Sequence, residues 1–202
     1  MVTGLVPSLN GYRLILASGS PRRRELLGML GVEFDVEVPR DVEETYPADL
    51  PPQHVPAYLS QLKSRAYGHS YGMSGKVVVT SDTIVICRGE ILGKPTGPDD
   101  ARRMLHELSG RSHTVVTGVT VAWDGGSVTE SASTEVDFAP LTDFEIDAYV
   151  DRFRPFDKAG AYGIQEWIGC IGVKGIRGSF YNVMGLPLHL LYTMFRQVPP
   201  RR

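Results

Sequence analysis

The chain has 202 residues, 42% of them apolar and 22% charged, with a formal net charge of −2. It is long enough to bury a sizeable core, as one large domain or two closely joined lobes, and too balanced in charge for the global basic field that favours DNA or RNA. No apolar run approaches membrane-spanning length, and the start, Met1-Val2-Thr3-Gly4, lacks the apolar segment of a signal peptide, so a cytoplasmic protein without a membrane partner is expected.

Tyr12–Ala17 reads as a buried strand. A helix follows over Pro21–Leu30, with Ser20 as N-cap, Pro21 at the first helical position and Gly31 past the end. Val32–Val38 alternates apolar and polar, the pattern of a half-exposed strand. Asp41–Pro52 is acidic and proline-bearing, hence a loop. Val55, Tyr58, Leu59, Leu62 and Ala66 recur at helical spacing. Lys76–Cys87 is a long β-branched strand interrupted by Ser81-Asp82-Thr83, and Gly89–Pro95 is a turn with a short extended piece. Pro98–Leu108 is a helix stopped by Gly110. Val115–Trp123 and Val128–Phe138 are strands joined through Asp124-Gly125-Gly126, a hairpin signal. Thr142 and Glu145 form a capping box for a helix to about Phe153. A glycine-rich stretch from Gly160 to Gly185 precedes a closing helix over Leu188–Phe195.

Helices mixed with long strands and hairpins define an α/β fold with a mixed sheet. No repeat or linker is visible. Residues 1–202 therefore read as a single domain whose lobe boundary composition does not reveal, with 1–11 and 197–202 as flexible tails. Cys87 and Cys170 lie in apolar surroundings and read as buried thiols of a reducing compartment.

Four places could carry chemistry. In Ser18-Gly19-Ser20-Pro21-Arg22-Arg23-Arg24, hydroxyls, backbone N–H groups and guanidinium forks converge at a strand-to-helix turn, which suits a phosphate. Arg22 and Arg23 oppose the helix macrodipole at about 0.3–1 kcal/mol each, as a bound anion would explain; a capped helix with a solvated basic face is the alternative. Asp82, inside an apolar strand, could hold Mg²⁺ or act as a general base, or could be a strand-end residue bonded to backbone. Lys94, between Gly93 and Pro95, could contact a phosphate but does not form a P-loop. In Asp157–Gln165, small residues permit close backbone approach around Lys158 and Gln165, and a glutamine can pair with the edge of a base; a tight buried turn with a solvent-facing lysine is the other reading. By itself Lys63 would be a surface lysine, and Glu43 and Glu44 would be loop charges or extra metal ligands. His54, His69, His106, His113 and His189 have no metal-ligand spacing, so no structural zinc is expected.

Together and in order, these motifs resemble the Maf family of nucleotide pyrophosphatases. The matching residues are Ser18-x-Ser20-Pro21-Arg22-Arg23 before Leu26-Leu27, Asp41-Val42-Glu43-Glu44, Lys63, Ser81-Asp82-Thr83-Ile84-Val85, Gly93-Lys94-Pro95, Leu108-Ser109-Gly110 and His113 with Thr117-Gly118. Asp157–Gln165, Gly178-Ser179 and Gly185-Leu186-Pro187 complete the match, which runs from about Leu14 to Leu191. The resemblance implies a two-lobed α/β fold around a central cleft, similar to the inosine triphosphate pyrophosphatases. It implies cleavage of a nucleoside triphosphate between the α and β phosphates, a divalent metal cofactor (Mg, Mn or Co) and a homodimer. By motif, Asp82 is the catalytic carboxylate and, with Glu44, a metal ligand. Ser18, Ser20, Arg23, Lys94 and Lys158 fall in the substrate region. Arg22, Lys63 and Gln165 match the branch acting on dTTP and UTP. CTP or modified pyrimidine triphosphates are further candidate substrates, in a house-cleaning role. A binding protein that regulates division through a protein partner is the rival expectation.

Overall fold

The computed structural model describes residues 5–39 and 42–201. In chain order the elements are β1 (Arg13–Leu16), α1 (Pro21–Gly28), β2 (Asp35–Val36), α2 (Val55–Tyr71), β3 (Lys76–Cys87), β4 (Glu90–Leu92) and α3 (Pro98–Leu108). They continue with β5 (Ser112–Trp123), β6 (Gly126–Phe138), α4 (Asp143–Phe153), α5 (Trp167–Gly172), β7 (Val173–Arg177), α6 (Phe180–Met184) and α7 (Leu188–Phe195). Among the described residues the strands form a seven-stranded sheet in the order β2-β1-β3-β5-β6-β7, with β4 also pairing β3. β1 runs parallel to β2 and β3, whereas β3–β4 and β6–β7 are antiparallel. The mixed α/β architecture expected from the sequence is therefore present.

The chain divides into two compact units, Met1–Asp82 with Thr117–Ala132 and Gly185–Arg202, and Thr83–Val116 with Ser133–Met184. In the first, β1 pairs with β3 from Arg13↔Lys76 to Leu16↔Val79, a register that keeps consecutive apolar residues in a strand covered on both faces. Ile15, Ala17, Val78 and Tyr67 of α2 pack together there. The start of α2 approaches the sheet at Gly118, where an added Cβ would lie 2.3 Å from Pro56 C and Ala57 N. Buried hydroxyls fasten the same contact: Ser60 Oγ lies 2.8 Å from Thr120 Oγ1, and Thr80 Oγ1 donates to Ser60 O at 2.7 Å. The described parts of the two tails are bonded to each other and to the elements beside them: Arg201 Nη1 donates to Gly11 O at 2.5 Å, Ser8 Oγ to Phe195 O at 2.6 Å, and Tyr12 OH to Pro199 O at 3.0 Å.

The second unit has its own core, in which Leu105, Leu108, Phe138, Ile146, Tyr149 and Ile168 are fully buried. The expected capping box starts α4: Thr142 Oγ1 accepts from Glu145 N–H, and the Glu145 carboxylate accepts from Thr142 N–H. His113 lies in this core, edge-on to Phe138 and Tyr162, with Nε2 2.7 Å from Tyr162 OH and no hydrogen-bond partner for Nδ1 among the described residues. Burial pushes its pKa down to about 4, with Asp137 pulling the other way. The unfolded chain therefore binds one more proton between about pH 6.5 and 4, so the contribution is intact above pH 6.5 and declines as pH falls. We expect a loss of about 3 kcal/mol by pH 4 from this group. Denaturant titrations across this range should show that slope in the native chain and a flatter one in His113→Leu.

Several sequence expectations need correction. Ser20 occupies the N-cap position of α1, but its side chain makes no capping bond; Ser20 N–H instead donates to Ser18 Oγ at 3.3 Å. The strand expected over Val32–Val38 shrinks to Asp35–Val36, both exposed at the sheet edge. Beyond it the Glu37 carboxylate is drawn to Tyr67 OH (2.5 Å) and Arg13 (2.8 Å). β3 runs through Ser81-Asp82-Thr83 without a break. The stretch from Gly160 to Gly185 holds α5, β7 and α6, which its glycines concealed. Cys87 is buried as expected, but Cys170 is exposed beside the exposed Trp167 and Ile171; both cysteines are free thiols.

Candidate active site

The Ser18–Pro21 turn leaves the sheet where Ala17 N–H donates to Val79 O at 2.9 Å, and Pro21 starts α1 immediately afterwards. This brings Arg23, in the first turn of the helix, back over the strand ends. Its Nε donates to Gly185 O at 2.9 Å, and Nη1 donates to Ser81 O at 2.7 Å and Ser18 Oγ at 3.4 Å. Burial pushes the Arg23 pKa down; the charges of Asp82 and Glu44 pull it up, and Arg22 pushes it down further. An arginine remains cationic under such pressure, so the turn carries a fixed positive charge near two carboxylates.

Asp82 stands on β3 next to that anchored Ser81 carbonyl. Lys63 reaches it from α2, Nζ to Oδ1 at 2.6 Å, and also reaches Glu44 Oε2 at 2.9 Å. The Lys63 and Asp82 side chains are only 14% and 13% exposed, whereas that of Glu44 is 49% exposed. Lys63 is therefore not a surface lysine but the link between two carboxylates from separate segments. In the first unit, Ser18, Arg23, Glu44, Lys63 and Asp82 come together, with Arg22 and Ser20 on the same turn and Arg24 exposed. Asp41, part of the acidic motif, lies outside the described residues. The turn itself borders an open depression of about 480 Å³ whose lining includes Ser18, Ser20, Arg24, Phe34 and Val36; Asp82 and Lys63 are not on its wall.

Asp82 and Glu44 are the oxygens that could hold a metal. Among the described residues no group of three His, Cys, Asp or Glu side chains is placed to chelate one. Two carboxylates suit a magnesium-like cation, which fills most of its shell with water and substrate phosphates. Lys63 already bridges both, so a cation joining them would share or displace its ammonium.

In the second unit, Gly160 N–H donates to Gly93 O at 3.0 Å, tying the exposed Lys94 segment to the Asp157–Gln165 loop. Gly160 has φ +66° and an added Cβ would lie 2.9 Å from Val85, so close approach requires glycine. Ala161 follows at φ +57°, a conformation that non-glycine residues rarely adopt and that clusters at functional segments. Gln165 is exposed. Lys158 is buried instead of solvent-facing, with Nζ 2.8 Å from Asp157 Oδ1 and 3.1 Å from Glu166 Oε1. Glu166 is a residue that sequence reasoning missed; nothing in its local pattern marks it as the partner of a buried lysine.

These features define an α/β protein with a cation-rich turn set beside a lysine-bridged carboxylate pair. The chain belongs to the Maf family: the family model described as Maf-like protein matches residues 13–198. It is 50% identical over 190 residues to a dTTP/UTP pyrophosphatase of Porphyromonas gingivalis, covering 93% of this chain and 95% of that one. Proteins of the same description match from Phocaeicola vulgatus, at 48% identity over 96% of this chain and 100% of the relative, and Bacteroides thetaiotaomicron, at 50% over 93% and 97%. Among solved structures, the Staphylococcus aureus Ham1 protein superposes with a TM-score of 0.56 over 92% of this chain and 98% of that one; at 17% identity the likeness is one of fold.

Proposed function

We propose that this chain hydrolyses dTTP and UTP between the α and β phosphates, releasing the nucleoside monophosphate and pyrophosphate. Identity near 50% along almost the whole chain to dTTP/UTP pyrophosphatases supports the substrate class. The observation that carries the chemistry is Lys63 Nζ held 2.6 Å from Asp82 and 2.9 Å from Glu44, with the Arg23 charge nearby.

In this reading the triphosphate binds at the Ser18–Arg23 turn. Ser18, Ser20 and Arg23 supply donors and charge there, and Lys94 is read as a further phosphate-binding cation. Asp82 orients a water toward the α-phosphorus and accepts its proton. Lys63 moves toward the phosphates as they arrive and offsets charge on the departing pyrophosphate. A divalent cation held by Asp82 and Glu44 would polarise the phosphate oxygens. Arg22 and Gln165 set the choice of pyrimidine. We further take the working enzyme to be a cytoplasmic homodimer; among the described residues no helix is long and apolar enough to cross a membrane.

The test is a panel of dTTP, UTP, CTP, modified pyrimidine triphosphates, dATP and GTP with Mg²⁺, Mn²⁺ or Co²⁺, read by product identity. We expect monophosphate and pyrophosphate, fastest from dTTP and UTP, with turnover abolished by a chelator and restored by added metal. Nucleoside diphosphate and phosphate as products, or no turnover of any triphosphate, would overturn the proposal.

A further inference from the structure

The loop that carries Gln165 is fastened from below by groups to which the proposed chemistry gives no task. Tyr149 of α4 is fully buried, and its ring stacks on Phe153 with centroids 5.1 Å apart. Its hydroxyl donates to Glu166 Oε2 and accepts from Gly163 N–H at 3.0 Å. The other oxygen of that carboxylate meets the buried Lys158 ammonium at 3.1 Å. Glu166 N–H donates to Gly163 O at 3.0 Å, and Glu166 O accepts from Gly169 N–H at 2.9 Å, so the same residue closes the turn and starts α5. An added Cβ at Gly163 would lie 2.8 Å from the Glu166 carboxyl carbon, so a larger residue there would have to displace that carboxylate from Tyr149 and Lys158. The exposed Gln165 is thus the one residue between Ile164 and Glu166, inside a turn held at both ends by Tyr149 and Lys158.

We propose that Tyr149, through Glu166, is a positioning residue that sets substrate preference by fixing the Gln165 backbone; this rests on the reading of Gln165 as the group that selects the base. An amide discriminates between bases by hydrogen bonds whose donors and acceptors must be held to within about 0.5 Å. Without the Tyr149 hydroxyl, a carboxylate oxygen and a backbone N–H in the core lose their shared partner. The Gly163–Glu166 turn then loosens, and the amide accepts the wrong base edge more readily. Lys158 acts here as the buried counter-charge that holds the Glu166 carboxylate in place, a role distinct from touching substrate.

The test is a double-mutant cycle of wild type, Tyr149→Phe, Gln165→Ala and the combined variant, reading kcat/KM for UTP against GTP. Folding is checked by circular dichroism. Tyr149→Phe keeps the stacked ring and should lower the UTP-to-GTP ratio about fivefold, the scale of one hydrogen bond, mainly through KM for UTP. The combined variant should fall no further than Gln165→Ala. If Gln165→Ala shifts the ratio and Tyr149→Phe does not, or if the two effects multiply, the positioning role is wrong while Gln165 as base reader stands. If Gln165→Ala leaves the ratio unchanged, the base-reading assignment falls and the positioning role with it. Should Tyr149→Phe fail to fold, Glu166→Gln takes its place in the same cycle and is judged by the same outcomes.

Discussion

Asp82→Asn is expected to lower kcat at least about 100-fold while UTP still binds. Asparagine matches the aspartate in shape and can still accept from Lys63, so β3 and the Lys63 contact need not move. What disappears is the negative charge and the capacity to take a proton from water. Loss of a general base costs about 10²–10⁴-fold in rate, and Arg23, Lys94 and the serine turn, which the account assigns to phosphate binding, are untouched. Pyrophosphate release measures the first quantity, and calorimetric titration with UTP the second. Turnover near wild type in this variant would remove Asp82 from the chemistry; loss of binding together with turnover would make it a structural residue.

Gly118→Ala is expected to damage both stability and site. The new methyl would meet Pro56 C and Ala57 N at 2.3 Å, and both are backbone atoms in the first turn of α2. No flexible side chain can give way, so the helix must move. Overpacking of a core costs about 1–3 kcal/mol and sometimes more, and this clash belongs at the upper end. For a chain of this size that lowers Tm by about 6–12 °C. Because α2 also carries Lys63, displacement should lengthen its contact with Asp82 and reduce kcat in protein that remains folded. Gly28→Ala is the control: it lies at the end of α1, nothing lies within 4 Å of its added Cβ, and it should be neutral or slightly stabilising. A Gly118→Ala melting point within about 2 °C of wild type would contradict the packing argument.

Elements with both a period and a boundary signal were legible in the sequence. α3 and α7 match the expected Pro98–Leu108 and Leu188–Phe195, and the Thr142–Glu145 pair marks the start of α4. Between Gly160 and Gly185 the same reasoning fails because the glycines there serve packing as well as turns. Gly169 sits inside α5, where an added Cβ would come 1.8 Å from Ile164 O, so a residue that looks like punctuation is a close helix contact. Exposure was misjudged at Cys170 because its apolar neighbours Trp167 and Ile171 are themselves exposed on α5 and do not enclose it.

The site divides along similar lines. Asp82 stood out as a carboxylate in an apolar strand, and the Ser18–Arg24 turn stood out for its charge. Lys63 gave no such signal: it lies on a different element from Asp82, and only the packing of α2 on the sheet brings the two together. Arg23 was expected to face phosphate, yet two of its nitrogens also pin the turn to Ser81 and Gly185, contacts no local pattern encodes. Glu166 drew no reading from the sequence because its partners, Lys158 and Tyr149, come from other segments and sit in the core.

The mechanism turns on attack of an Asp82-oriented water on the α-phosphorus. Hydrolysis of UTP by the purified protein in ¹⁸O-labelled water, with products resolved by mass spectrometry, tests it directly. UMP should carry one ¹⁸O atom and the pyrophosphate none. Label in the pyrophosphate, or UDP and phosphate as the products, would contradict it.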